Sequence, residues 1–307
     1  MTGRADDFSR ANFFTEGGTP VKPIPKRQLA TAATGLSLAM IGWSLWENSF
    51  PVLTTYTIYR VDLPDAFDGC RIVQISDFHN TTMGKDNQRL LSLVRQASPD
   101  IIAITGDFVD SRHTDIQTAM DFAGALAAIA PCYYVTGNHE ARFSQQAYLD
   151  FEQGLLDAGV TVLHGERVVL TRGEEQIFLL GLDDPDFRWN DNGSGSRIDP
   201  KRLRELAPQE AFTVLLSHQP RFFQTYVEGD MDLVLCGHVH GGQFRLPFAG
   251  GILSPDQGLF PTYDAGVYTR NNTSMVVSRG IGNSVIPVRI NNRPEVVCIQ
   301  LTRRGLS

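Results

Sequence analysis

From Tyr56 onward, short apolar runs alternate with stretches whose apolar positions recur at helical spacing. Tyr56–Val61, Arg71–Ser76, Asp100–Thr105, Tyr133–Thr136, Phe212–Ser217 and Met231–Cys236 predict strands, Asp100–Thr105 being a buried one. Between them, Leu90, Leu91 and Val94 fall on one face of a predicted amphipathic helix over Asp86–Ala97. Ile116–Ile129 and Gln145–Ala158 also read as helices, and a short helix follows His218-Gln219-Pro220. Further strands are predicted at residues 160–163, 167–170, 177–182, 267–269, 275–278 and 296–301. Asp183–Asp199, rich in Asp, Asn, Gly and Ser, predicts a long loop. Phe244–Tyr263 predicts an apolar loop packed over the sheet or, beside a membrane anchor, a lipid-facing rim. Strands alternating with helices imply an α/β domain whose sheet faces are covered by helices.

The pattern differs before this domain. Residues 1–28 are polar and mixed and predict a flexible tail. Leu29–Trp46 contains no charge and ends in Trp43 and Trp46, near the minimum length for a bilayer span. It predicts a transmembrane or signal-anchor helix (residues 29–46), followed by a linker (47–55) and the main domain (56–302). Thr31, Thr34, Gly35, Ser37, Gly42 and Ser44 leave this segment only moderately apolar, and the alternative is a buried or surface-lying helix. No small-residue cleavage site follows, which favours an uncleaved anchor. Lys22, Lys26 and Arg27 precede it, and Glu47 is the only charge before Arg60. The positive-inside rule then places the large domain on the extracytoplasmic side.

A net charge of −7 excludes a general polyanion binder, so no nucleic-acid partner is expected. It leaves phosphate chemistry open, because bound cations supply local positive charge. Cys70, Cys132, Cys236 and Cys298 form no Cys-x-x-Cys pair and lie in or beside apolar runs, as buried free thiols do.

The chemistry gathers where predicted strands end. Asp77-Phe78-His79, Gly106-Asp107, Asn138-His139-Glu140, His218 and His238-Val239-His240 each follow an apolar run. Five of the seven histidines occupy these positions, and only His113 and His164 fall elsewhere. In open α/β sheets, sites form outside the carboxyl ends of strands. An alternating strand would point His238 and His240 to one face, with the flanking glycines allowing a tight turn. Carboxylate, amide and imidazole donors suit Mn, Fe, Zn, Ni or Co. Any one of these residues alone is an ordinary helix cap, turn former or satisfied core histidine; their order along the chain is what makes them a set.

These five blocks resemble the calcineurin-like metallophosphoesterases over roughly Tyr56–Leu301. Gly241-Gly242-Gln243, Ser278-Arg279-Gly280-Ile281-Gly282 and Arg293-Pro294-Glu295 are similar to the membrane-associated phosphodiesterase branch of that family. The resemblance implies a four-layer αββα sandwich and two divalent metal ions. By position, Asp77, His79 and His240 would hold one ion, and Asn138, His218 and His238 the other. Asp107 would bridge both and His139 would be the general acid. Asp110 would be a group behind the ligands or a solvated loop carboxylate; Arg279 would contact the substrate phosphate or form a surface ion pair. The implied activity is hydrolysis of a phosphodiester, pyrophosphate or phosphomonoester bond by in-line attack of a metal-bridging hydroxide. The implied substrate is lipid-linked, a phospholipid or a UDP-diacylglucosamine-like molecule at a membrane. The alternatives are a catalytically silent, membrane-tethered binding module and a dinuclear hydrolase cutting another bond, such as an amide.

Overall fold

The computed structural model describes residues 26–187, 198–208, 211–248, 250–283 and 288–303. The predicted tail up to residue 25 and residues 188–197 of the predicted polar loop lie outside them. The first half runs α1 (Lys26–Ser49), β1 (Val52–Tyr59), β2 (Arg71–Ile75), α2 (Gln88–Ala97), β3 (Ile101–Thr105), α3 (Ile116–Ala127), β4 (Cys132–Val135), α4 (Gln145–Asp157) and β5 (Val160–Val162). Then come β6 (Glu166–Arg172), β7 (Glu175–Gly181), α5 (Pro200–Leu206), β8 (Thr213–Leu216), α6 (Phe223–Glu228) and β9 (Leu233–Cys236). Four two-residue strands follow: β10 (Arg245–Leu246), β11 (Gly250–Gly251), β12 (Leu253–Ser254) and β13 (Gly258–Leu259). The chain closes with β14 (Gly266–Arg270), β15 (Thr273–Val277) and β16 (Glu295–Thr302).

Two six-stranded mixed sheets result, ordered β1-β16-β2-β3-β4-β5 and β14-β15-β9-β8-β7-β6. Strands β2 to β5 are parallel, as are β15, β9, β8 and β7, so the carboxyl ends of the central strands share an edge within each sheet. Side-chain alternation explains the layering. On β3, Ile101 and Ala103 join a core shared with Val214 and Leu216 of β8 and Leu233 and Leu235 of β9. Ile102 and Ile104 point the other way, against Leu90, Phe122 and Leu155 of the first three domain helices. Leu215, Val234 and Cys236 likewise face Leu203, Phe223 and Tyr226 of α5 and α6. Strands buried on both faces need continuous apolar runs, which is why these segments do not alternate. The order is therefore helix, sheet, sheet, helix.

Local signals place the helices. Asp115 caps α3 by accepting the amide of Thr118 at 3.0 Å, and Ser144 caps α4 through Ala147 at 3.3 Å. Helix α5 is not predicted; its signals were Asp199, which accepts the amide of Lys201 at 3.0 Å, and Pro200 at the first helical position. A polar run before it hides both. The Phe244–Tyr263 segment forms two short hairpins that leave Phe248, Leu259 and Phe260 exposed. All four cysteines are buried and free.

At the amino end, α1 covers the predicted anchor segment. Among the described residues, no helix is long and apolar enough to cross a membrane. The interspersed Thr, Gly and Ser positions account for this. One compact unit extends from Trp43, so the last turn of α1 and the predicted linker 47–55 belong with the sheets; β1 starts at Val52, ahead of Tyr56.

Candidate metal centre

Five of the candidate residues sit in the left-handed backbone region: Asp77 (φ 50°), His79 (48°), Asp107 (50°), His238 (72°) and His240 (47°). Non-glycine residues adopt it rarely and at a cost, and such outliers gather at functional sites. Here each turns a side chain back across the strand ends as the chain leaves the sheet. Close backbone approach is the second requirement. A Cβ at Gly237 would lie 1.8 Å from Ser76 Oγ and 2.5 Å from Asp77 Oδ2; one at Gly106 would meet Gly137 Cα at 2.7 Å.

His238 and His240 do not lie on a strand, contrary to the alternation argument. Strand β9 ends at Cys236, and the two left-handed residues send the imidazoles to different partners. His240 groups with Asp77 and His79, and His238 with Asp107 and His218, the donor atoms of each group lying within 4.8 Å of one another. His240 Nε2 is 3.3 Å from His79 Nε2 and 3.5 Å from Asp77 Oδ1. His238 Nδ1 is 3.3 Å from His218 Nε2 and 2.9 Å from Asn138 Oδ1. Asp107 Oδ2 lies between the groups, 3.3 Å from His218 Nε2 and 3.7 Å from His79 Nε2.

Ring tautomers follow from the outer nitrogens. His218 Nδ1 is 2.8 Å from the Thr105 carbonyl and His238 Nε2 is 2.9 Å from Asp256 Oδ2, so both donate there. His240 Nδ1 faces the Gly282 carbonyl at 3.3 Å. The inner nitrogens face one another and carboxylate and amide oxygens. Such a donor set, buried and convergent, fits divalent cations. Burial pushes His79 down to about 4 and holds His240 well below the ordinary imidazole value, keeping both neutral as ligation needs. Burial alone would also lower His218, but the Asp107 carboxylate outweighs it and raises it well above the usual value. Asp107 therefore calls for a positive charge beside it.

His139 stands at the edge, its ring 4.5 Å from that of His79 in a T-shaped arrangement. Its Nδ1 accepts the Ser111 amide at 3.1 Å, with Asp110 Oδ1 at 3.3 Å. The neutral ring then carries its proton on Nε2. Its own amide donates to Asp107 Oδ1 at 2.8 Å. Arg279 is engaged elsewhere: its guanidinium pairs with the buried Glu295 at 2.6 Å. Of the histidines outside the set, His164 pairs with Asp183 at 2.8 Å.

Three residues without a predicted role support the centre. Glu140 is fully buried and accepts four backbone amides, from Asp107, Phe108, Val109 and Gly137. Asp256, on the turn between β12 and β13, binds His238 and also Arg221 at 3.2 Å. Arg289 is fully buried beside His240. Glu140 sat within a recognised block and gave a signal; Asp256 and Arg289 gave none, being distant in sequence from what they touch.

The profile of the calcineurin-like phosphoesterases matches residues 70–242, over half of the chain and spanning every strand end described above. The chain belongs to the calcineurin-like phosphoesterase family. Its domain is thus that of a metal-dependent phosphoric ester hydrolase. Among relatives of this phosphoesterase, "Transmembrane protein with metallophosphoesterase domain" of Danio rerio is 31% identical over 78% of this chain and 54% of its own length. The chain thus spans about half the length of that relative. The "Uncharacterized metallophosphoesterase YkuE" of Bacillus subtilis is 29% identical over 81% of this chain and 84% of its own. "Phosphodiesterase YaeI" of Escherichia coli is 29% identical over 69% and 73%. A putative 5'-nucleotidase from Staphylococcus aureus superposes with a TM-score of 0.47 at 14% identity, over 78% of this chain and 55% of its own, a likeness too weak to argue from.

Proposed function

We propose that this phosphoesterase uses two divalent ions to hydrolyse a phosphodiester, pyrophosphate or phosphomonoester bond of a lipid-linked substrate at a membrane. The observation that carries the reading is the position of Asp107 Oδ2 between the two histidine groups, at 3.3 and 3.7 Å. Asp77, His79 and His240 would hold one ion, Asn138, His218 and His238 the other, with Asp107 available to both. Such ions would supply the acidified water and the positive charge that phosphate hydrolysis needs, which a chain of net charge −7 otherwise lacks. Mn, Fe, Zn and Ni all suit the donor set.

His139 supplies the remaining proton chemistry. With Ser111 donating to Nδ1, the Nε2–H is presented to the site, where it would hydrogen-bond a phosphate or leaving oxygen as negative charge develops there. A phosphate contact from Arg279 would have to compete with Glu295. Membrane attachment is supported by the exposed Trp43 and Trp46 on α1, by the basic residues before it, and by the vertebrate relative named as transmembrane. In this reading the segment anchors the chain and the catalytic domain faces the extracytoplasmic side.

The test is hydrolysis of bis-p-nitrophenyl phosphate by the full chain, stripped of metal and then given Mn, Zn, Ni or Fe, with Asp107→Ala as control. Metal-dependent turnover lost in the control is the expected result. A folded chain that binds two ions yet cleaves neither this diester nor a monoester would instead be a silent binding module. Phospholipid and nucleotide-linked acyl sugar in vesicles then address the substrate.

A further inference from the structure

Among the described residues, Arg289 is the largest fully buried side chain, and no carboxylate lies within ion-pair distance of it. Burying a guanidinium this way is unfavourable unless its donors are used, and here they are. Nη1 donates to the Arg279 carbonyl at 2.7 Å, Nε to Asn283 Oδ1 at 3.1 Å, and Nη2 to the Gly282 carbonyl, with His240 Nδ1 also 3.3 Å from Nη2. Three acceptors on one planar fork fix the path of residues 279–283. That path matters because the Gly282 carbonyl is also what His240 Nδ1 faces, at 3.3 Å. The Gly282 amide in turn donates to the Asp77 carbonyl at 2.6 Å. A Cβ at Gly282 would meet the Phe78 carbonyl at 2.5 Å and His79 Cβ at 2.8 Å, so this turn lies directly against one ligand group.

The backbone of Arg289 points to the amino-terminal helix. Its carbonyl accepts Ser44 Oγ at 3.1 Å and Asn48 Nδ2 at 3.2 Å. Asn48 Oδ1 accepts Asn283 Nδ2 at 3.4 Å, and the buried Glu47 accepts the Asn291 amide at 2.7 Å. The last turn of α1 thus grips both ends of the Arg289 clamp.

We infer that Arg289 is a positioning residue for the metal centre, holding the Gly282 carbonyl against His240, and that the last turn of α1 seats it through Ser44 and Asn48. The helix is then a working part of the centre as well as an attachment. This rests on the metal-centre reading above. A guanidinium cannot be replaced by an ammonium here, because three divergent acceptors need a fork. Loosening the clamp frees the Gly282 carbonyl, lets the His240 ring change tautomer and rotate, and weakens one ion while sparing the other.

The experiment uses the full chain with the substitutions Asn48→Ala, Ser44→Ala, Arg289→Lys and Arg289→Met. Metal stoichiometry and stepwise affinity are read by calorimetric titration with Mn or Zn and by elemental analysis after graded chelation. In Asn48→Ala and both Arg289 variants, one of the two ions should bind about 10–100-fold more weakly, with the second unchanged and the circular dichroism of the fold retained. The electron paramagnetic resonance signal of the coupled Mn pair should give way to that of a single ion at limiting metal. Should Arg289→Met fail to fold, Asn48→Ala decides alone, since it touches only the seat. Two equally tight ions in Asn48→Ala and Arg289→Lys would overturn the inference while leaving the metal-centre reading intact. A wild-type chain that binds no ions would overturn both.

Discussion

Glu140 Oε2 accepts the backbone amide of Asp107 at 3.0 Å, and Oε1 takes the next two amides, Phe108 at 2.7 Å and Val109 at 3.1 Å. The carboxylate is a splint for the left-handed turn that aims Asp107 between the two histidine groups. Burial, and then the charge of Asp107, push its carboxyl up to about 7, so the amides are what keep an anion tolerable there. Glu140→Ala leaves several buried donors unmatched, each worth about 1–3 kcal/mol. The variant should lose about 3 kcal/mol or more in urea unfolding, and Glu140→Gln, which keeps one acceptor oxygen, should lose less. An alanine variant within ~1 kcal/mol of wild type would show that the turn holds itself.

The role given to His139 separates chemistry from metal binding. Burial lowers its pKa, and with Ser111 donating to Nδ1 the ring is placed to donate a hydrogen bond from Nε2. His139→Ala should reduce turnover by about 10²–10⁴ while both ions stay bound. Turnover and metal content measured on the same preparation decide it; parallel loss of both would make His139 a ligand or a prop instead.

Strand ends and residue types were legible in the chain because β3, β8 and β9 are buried on both faces and so stand out as apolar runs with a polar residue after each. The family resemblance then implied a grouping that spacing alone could not. Three things stayed hidden for physical reasons. The opposite destinations of His238 and His240 depend on φ values of 72° and 47°, which a two-residue periodicity does not encode. Helix α5 follows a polar run that masks its cap at Asp199. Arg279 took the ion-pair option, with the buried Glu295, while Arg289, ten residues on, reached His240; which arginine goes inward is settled by tertiary packing.

Asp256 makes the second hairpin part of the centre. Its Oδ2 accepts His238 Nε2 at 2.9 Å, leaving Nδ1 free toward Asn138 and His218, and Arg221 holds the same oxygen at 3.2 Å. Removing a carboxylate behind a ligating imidazole costs about 10–100-fold in metal affinity. Asp256→Ala should therefore release metal at lower chelator concentration than wild type, and Asp256→Asn, able to accept but uncharged, should fall between. Identical release curves would reduce Asp256 to a surface ion pair with Arg221.

Far from the ligands, His164 gives a stability prediction with a definite sign. Its Nδ1 is 2.8 Å from Asp183 and its Nε2 3.4 Å from Glu152. Burial alone would lower its pKa, but the hydrogen bond and charge of Asp183, then Glu152, raise it to about 9. Since the folded value lies above the unfolded one of about 6.5, the charged form stabilises the fold fully below that pH. The contribution fades as pH rises and is gone once it passes about 9. His164→Gln keeps hydrogen bonding but cannot carry the charge, and should lower the melting temperature by roughly 2–6 °C at pH 6. The gap to wild type should narrow steadily and close near pH 9.5, roughly half a unit past the folded value. Melting curves of both proteins across that range give the answer, and a gap that is constant or widens with pH would mean that the imidazole is neutral and its partners are held by hydrogen bonds alone.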